Sequence, residues 1–379
     1  MKIFHIIFVI FLLVATFVGV QKIIKNARQE VITQASERLA LTRDIRIAQL
    51  NSEIKTIYSE IRFWADSQPV RESMENMLTA WDELGSNPKA RARKLYITEN
   101  PLYPNYTADL YKADDGSSYS DNHEVLHKLL RGLTKRRGYY DVFLIANNGD
   151  IVYTVYKEDD YATNLLNGKY KETNLAQGFR EVQDNTNLNH VSLFDFIPYA
   201  PSNNVASSFI QTSIINANNK TIGILAFQLP VEPIDAIIDG SSKKAGQAEI
   251  LAIGPDYLLR HRINKEVFKD QLHSDAIDKA LKGESGVEQL KDYKGEKTIT
   301  AYAPFNFSRN LLGNTEKNTW AIVSKQNLAE VLASVERKIR NGLLLLAGLT
   351  FLSLLFAWLL TRKKEDLSTT EEEDEEKLT

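Results

Sequence analysis

The sequence predicts an α+β protein: two antiparallel-sheet lobes carried on one long N-terminal helix and flanked by two transmembrane helices. Three observations carry this. Two apolar runs, residues 3–20 and 343–360, lie near the two ends of the chain. Residues 21–65 contain neither Gly nor Pro, and their apolar side chains recur at helical spacing. Farther on, β-branched and aromatic runs joined by turn residues appear in two successive blocks.

The first run is broken only by His5, Thr16 and Gly19. Eighteen helical residues reach about 27 Å, close to the ~30 Å hydrocarbon core. The run is long for a cleaved leader, and Phe17-Val18-Gly19-Val20 offers no small-x-small cleavage site, so a signal anchor is expected over 1–21. The second run carries no charge and is followed at once by Arg362-Lys363-Lys364, which places that end in the cytoplasm by the positive-inside rule. Lys2 places the N-terminus on the same side, while Lys22, Lys25 and Arg28 blur the asymmetry. Residues 21–341 are therefore expected outside the membrane, in the periplasm or at the cell exterior of a bacterial source.

Between the spans the order of elements follows local signals. Residues 22–135 read as the long helix and a helical lead-in: a second helix over 69–87, a loop-rich stretch over 88–118, and a further helix over 121–133. The strand 140–146 and the strand 150–156 flank Asn148-Gly149, a tight-turn signal because both residues tolerate positive φ. A polar excursion with Gly168 leads to a helix near 175–182. Strands follow at 191–196, 207–216 and 221–229, with a turn over 198–204 and a hairpin at Asn218-Asn219. These complete a membrane-distal lobe, 136–240, whose last helix, 231–240, has Pro233 in its first turn. A small polar linker, 241–246, opens the proximal lobe, 241–327. There a hairpin is expected over 249–253 and 257–260, a helix over 268–282, and strands over 297–304 and 320–324. The helix 326–340 meets no Pro before the second span, 342–361, and Gly342 alone weakens it by about 1 kcal/mol. The acidic tail, 362–379, has no core-forming residues and is expected to be disordered.

GYYDVFLI, YTVYKEDDYATNLLNGKYKETNLAQGFR and DFIPYAPSNNVASSFI together resemble the PAS-like double-Cache extracytoplasmic sensor domain of bacterial methyl-accepting chemotaxis receptors and sensor kinases, over roughly 119–325. The resemblance implies two PAS-like lobes, a small-molecule ligand in the distal one, and a homodimer built along the stalk helix. It also implies signalling through the second span. Such receptors continue into a cytoplasmic signalling module; here only the acidic tail follows, so a separate membrane or cytoplasmic signalling partner is expected.

Candidate ligand-binding residues are Tyr153, Tyr170, Asp195, Tyr199, Ser202, Phe209, Gln211 and Gln228: tyrosines give apolar walls with hydroxyl tips, and Asp195 offers a carboxylate to a ligand amine. Core packing or turn hydrogen bonding competes with this reading at each position. The amino-acid-binding subset of the family carries an Arg and a Trp-Tyr pair after the second strand and an Asp ending the last strand. Here Tyr170-Lys171-Glu172 and Phe227-Gln228-Leu229 stand instead. Both departures argue against an α-amino acid and leave another small ligand, or none, open.

His123-Glu124-Val125-Leu126-His127 is a literal H-E-x-x-H, two imidazoles one helical turn apart. They share a face with Leu130, and paired His before the Tyr-Tyr-Asp strand belongs to the family pattern. Packing plus a hydrogen bond is the favoured reading. No metal site is expected; His123 and His127 are the weak candidate ligands, with Glu158 left open as a third, and zinc hydrolysis is a remote alternative. Lys157-Glu158-Asp159-Asp160 lacks the Gly and the ligand spacing of a Ca²⁺ loop and is read as a solvated loop.

Composition narrows the rest. The 379 residues carry a net charge of −3, of which the last 18 supply −4; the rest is near neutral, so the charge makes no case for nucleic acid. With no cysteine, disulfides and thiolate metal sites are excluded. No cofactor and no enzymatic activity are expected. The leading function is extracytoplasmic sensing, which a polar-lined distal cavity would favour. The alternative is a docking protein without a ligand, which a pocket filled by its own tyrosines would favour.

Overall fold

The computed structural model describes residues 2–239, 247–261, 271–308 and 317–376. Helix α1 (Lys2–Asp66) runs for 65 residues, about 98 Å at ~1.5 Å per residue. The apolar run and the amphipathic stretch are thus one helix. Its inner face is long enough to serve two cores. Leu39 packs with Ile299, Ala301 and Val331, whereas Leu50, Ile57 and Ile61 join the larger distal core.

Helix α2 (Gln68–Glu83) takes Pro69 in its first turn and buries Val70, Met74, Met77 and Trp81 at helical spacing. The segment expected as loop begins instead with α3 (Pro88–Arg93), where the Asn87 side chain accepts from the Ala90 amide, and a π-helical turn, Lys94–Thr98. Helix α4 (Ser118–Arg137) starts on a Ser117 cap and ends in Lys135, Arg136 and Arg137, cations that suit the negative end of the helix dipole.

The distal sheet follows. Strands β1 (Asp141–Ala146) and β2 (Ile151–Thr154) form the hairpin at Asn148-Gly149, with Gly149 at φ +87. After α5 (Asn174–Asp184) come β3 (Val191–Tyr199), a 3-10 turn (Ala200–Ser202), β4 (Val205–Ile215) and β5 (Thr221–Leu229). The order is β2-β1-β5-β4-β3, antiparallel throughout. Strand alternation gives the sheet two faces. One, with Leu144, Tyr153, Ile210 and Phe227, packs on α1, α2 and α4. The other, with Phe143, Ile145, Phe209 and Ala226, is covered by α5 through Leu175 and Phe179.

The loop between β2 and α5 is tied down by one close approach. A Cβ on Gly168 would stand 2.3 Å from the Asn164 carbonyl oxygen, whose backbone cannot yield easily. Gly168→Ala is expected to cost roughly 1–3 kcal/mol by overpacking. A melting temperature equal to wild type would contradict this close packing.

Helix α6 (Glu232–Asp239) leads to the proximal lobe: β6 (Glu249–Ile253), α7 (Asp275–Leu281), β7 (Gly286–Lys291), β8 (Lys297–Ser308) and β9 (Lys317–Asn327), ordered β6-β9-β8-β7. Residues 257–260 fold back on β6 as the expected hairpin but form an antiparallel bridge, Ile253 with Leu259, rather than a full strand; the Arg260 amide donates to the Ala252 carbonyl at 2.8 Å. The expected linker 241–246, and the first part of the expected helix 268–282, lie outside the described residues. Helix α8 (Leu328–Glu376) leaves β9 without a break. It extends through the tail expected to be disordered: no Gly or Pro follows Gly348, and Glu, Lys and Leu are good helix formers. Among the described residues one helix is long and apolar enough to cross a membrane, within α8 at Leu328–Phe356.

Candidate functional site

The two faces of the distal sheet carry different chemistry. On the α4 side, His123 and His127 stack at 4.9 Å among Tyr96, Tyr119 and Tyr153. His127 donates from Nε2 to the Ala108 carbonyl (2.8 Å) and so accepts at Nδ1 from the Tyr153 hydroxyl (2.8 Å). His123 donates from Nδ1 to the Tyr111 carbonyl (2.7 Å). Burial, and then the Lys157 ammonium, holds His127 down at about 2 and His123 well below its usual range. Glu124 lies on the exposed side of α4, paired with Lys128, so the geometry of a hydrolase motif does not form. No group of three His, Asp or Glu side chains spaced for a metal occurs among the described residues.

The charge run expected to be solvated is not. Lys157 and Asp160 are buried, and Glu158 is half-buried. The backbone accounts for it: Lys157 adopts φ +54, which turns its side chain back under the sheet edge. Its Nζ donates to the carbonyls of Thr154 (2.8 Å) and Val155 (3.1 Å) and lies over the rings of Tyr153 and Tyr96. Burial lowers the Lys157 pKa to about 7, with Asp141 opposing the shift. Asp141 opens β1 and accepts from the amides of Val142, Val155 and Tyr156. Burial, reinforced by Asp160 and Glu158, pushes its carboxyl well up.

On the α5 side the polar groups form a chain. Gln228 faces Asp141 across one ladder and Phe209 across the next. Its amide donates to Ser202 Oγ (3.1 Å) and Ser207 Oγ (2.8 Å). Ser202 in turn donates to Glu158, which also accepts from the Tyr140 hydroxyl at 2.8 Å. The Tyr199 hydroxyl donates to Asp160 Oδ2 at 2.7 Å, and its ring meets Phe209 at 4.7 Å. Burial, with Glu158 and Asp159 adding to it, pushes Asp160 up to about 7 against the Tyr199 hydrogen bond.

Of the sequence-predicted residues, Tyr199, Ser202, Phe209, Gln211 and Gln228 come together on this side. Three do not join them. Tyr153 lies on the opposite face, bonded to His127. Tyr170 stands in the turn before α5, its carbonyl accepting from Thr173. Asp195 points out of the distal lobe altogether. It accepts from Arg260 (2.9 and 3.0 Å) and from the Trp320 indole (3.1 Å) of the proximal lobe. The seam cavity beside it, between Leu193, Phe196, Phe307 and Trp320, holds about 20 Å³, room for one water. A larger cleft, about 430 Å³, opens on the distal lobe between Arg93, Tyr103, Thr107, Tyr156, Glu158, Asp159 and Asn203. Its walls are largely polar, and Glu158 joins it to the Ser202–Gln228 chain.

Sequence reasoning missed Asp141, Glu158 and Asp160. One signal for Asp141 was present: with β1 and β5 both assigned, the antiparallel register sets it opposite Gln228.

The model of the Cache domain family, dCache_1, matches residues 24–335. The chain belongs to the Cache domain family. The chain is also similar, at low identity, to two solved structures. The sensory domain of the Campylobacter jejuni chemoreceptor Tlp3 is 11% identical, covers 81% of this chain and 99% of its own, and aligns with a TM-score of 0.48. The ligand-binding domain of the Pseudomonas fluorescens chemoreceptor CtaA, in complex with L-isoleucine, is 11% identical, covers 82% and 98%, and has a TM-score of 0.39. No curated protein matches the chain. Cache membership makes this a sensory, ligand-binding type of domain.

Proposed function

We propose that this chain is a membrane-anchored extracytoplasmic sensor that takes a small molecule in the distal Cache lobe and passes the response through α8 to a separate signalling partner. The carrying observation is the polar chain Gln228–Ser202–Glu158, which runs from the α5 side of the distal sheet to the wall of the 430 Å³ cleft. Such convergence of a few polar groups on a concave site is typical of ligand pockets. Two spans hold the ectodomain in the periplasm with both termini in the cytoplasm, a reading supported by Arg362-Lys363-Lys364 after the second run. The exposed apolar residues Leu41, Ile45 and Phe63 on α1 support a homodimer along the stalk. The unbroken passage from β9 into α8 supplies the mechanical link. A ligand acts by binding one arrangement of the lobes better than another.

The test is a fusion of residues 1–365 to the cytoplasmic part of a histidine kinase, made in each helical phase. Autophosphorylation is then read against panels of amino acids, organic acids, amines and purines. At least one compound should change output roughly fivefold or more. Silence in every phase to every class would remove the sensor reading.

A further inference from the structure

Three cations of α1, Lys22, Lys25 and Arg28, run against the charge asymmetry that orients the chain, and the sensor reading gives them no role. Three more, Arg337, Lys338 and Arg340, stand on α8 just before the second apolar run. The two sets meet. Arg28 reaches Glu336 at 3.1 Å, and Leu39 packs with Val331 farther from the apolar runs, so α1 and α8 run antiparallel. The six cations therefore share one level, a belt about 9 Å tall at ~1.5 Å per residue. All six are exposed. Among the described residues only Arg28 uses its side chain in an ion pair or hydrogen bond. Glu336, which Arg28 takes, is the one acid in residues 21–29 and 336–342.

The apolar runs fix where this belt lies. Helix from Lys2 to Lys22 spans about 30 Å, and from Arg340 to Arg362 about 33 Å. Each run is thus bounded by a cation at both ends, at a spacing near the ~30 Å hydrocarbon core. On the membrane side of the belt the side chains turn apolar and stay exposed: Phe17 and Val18 on α1, Leu344 and Leu345 on α8. The belt is close in height to one headgroup layer, roughly 5–8 Å. The anionic groups native to that layer are lipid phosphates, whereas a protein partner would have to enter it between the lipids.

We propose that Lys22, Lys25, Arg337, Lys338 and Arg340 bind the phosphate headgroups of anionic phospholipids, of the phosphatidylglycerol class, in the outer leaflet. The inference rests on the two-span reading above and goes beyond it: the bilayer is a partner with a charge requirement as well as a solvent for the spans. A cation held at an anionic lipid surface favours it roughly fivefold. Arg28 acts differently, tying α1 to α8 within the belt through Glu336. The bound lipids thereby fix the level of α8, the helix that the sensor reading uses for output.

The experiment uses the full-length protein in nanodiscs of equal parts phosphatidylglycerol and phosphatidylcholine, and mass spectrometry of the lipids that stay bound after mild detergent strips the disc. Phosphatidylglycerol should be retained roughly fivefold or more over phosphatidylcholine, and the excess should fall as salt is raised. The combined variant Lys22→Gln, Lys25→Gln, Arg337→Gln, Lys338→Gln and Arg340→Gln should retain the two lipids about equally. The variant Arg362→Gln, Lys363→Gln and Lys364→Gln, at the other end of the second run, should keep most of the excess. If the combined variant does not assemble, the α1 pair and the α8 trio are substituted separately, and each should remove part of the excess. Equal retention of the two lipids by the wild-type protein overturns the proposal. So does an excess that survives the substitutions in the belt, or one lost as fully to the substitutions at Arg362, Lys363 and Lys364. None of these results touches the sensor reading, which the kinase fusion decides by itself.

Discussion

Asp195→Ala should lower the melting temperature of the unliganded protein by several degrees and leave ligand affinity unchanged. The carboxylate was an attractive ligand partner on sequence, alone between Phe194 and Phe196. In the fold it is the distal half of a bridge between the lobes. Arg260 reaches it with Nε and a terminal nitrogen, the Trp320 indole donates to it, and the Phe196 amide closes the ring at 2.7 Å. The Arg260 side chain is 2% exposed. Breaking a buried pair from one side costs about 3–5 kcal/mol, because the other charge stays behind. Asp256 still contacts Arg260 at 2.9 Å, so about 3 kcal/mol is expected. A cycle with Arg260→Ala should return a coupling well above 0.5 kcal/mol. Additive losses, or wild-type melting with lost binding, would move Asp195 from the seam to the ligand. The bridge also has a position of interest for signalling: Trp320 sits on β9, which continues directly into α8.

The contrast between Asp195 and Gln228 explains how much the sequence could disclose. Helices and turns were readable because their signals are local. The Gly- and Pro-free stretch of α1, Asn148-Gly149, and the β-rich run of β5 each fix a few residues at a time. Strand β7 escaped because GVEQLK sits at the edge of its sheet with alternate residues half-exposed, and its polar half masks the period. The site divides in the same way. Phe209, Gln211 and Gln228 follow from strand alternation once β4 and β5 are placed. Asp195 does not, because its partner lies 65 residues on, in another lobe, and no local pattern joins them. The run Lys157–Asp160 misleads for a physical reason: four charges in succession are usually solvated, and only the positive φ at Lys157 and the Tyr199 hydroxyl reveal that two of them are buried.

Asp160→Asn should do the opposite of Asp195→Ala and raise the stability of the unliganded protein at pH 8. The Asp160 carboxyl is raised from 3.8 to about 7 in the folded chain, first by burial and then by Glu158 and Asp159. The unfolded chain releases that proton near its ordinary value, whereas the folded chain keeps it to about 7. Between the two the native state binds more protons, so stability falls as pH rises through that window and is flat above it. At ~1.4 kcal/mol per unit the penalty at pH 8 is on the order of a few kcal/mol. Asparagine removes it, so the gain should be largest at pH 8 and vanish near pH 4. Urea unfolding of both proteins across that range reads it directly. A variant less stable than wild type at pH 8 would mean that Asp160 is satisfied as a carboxylate.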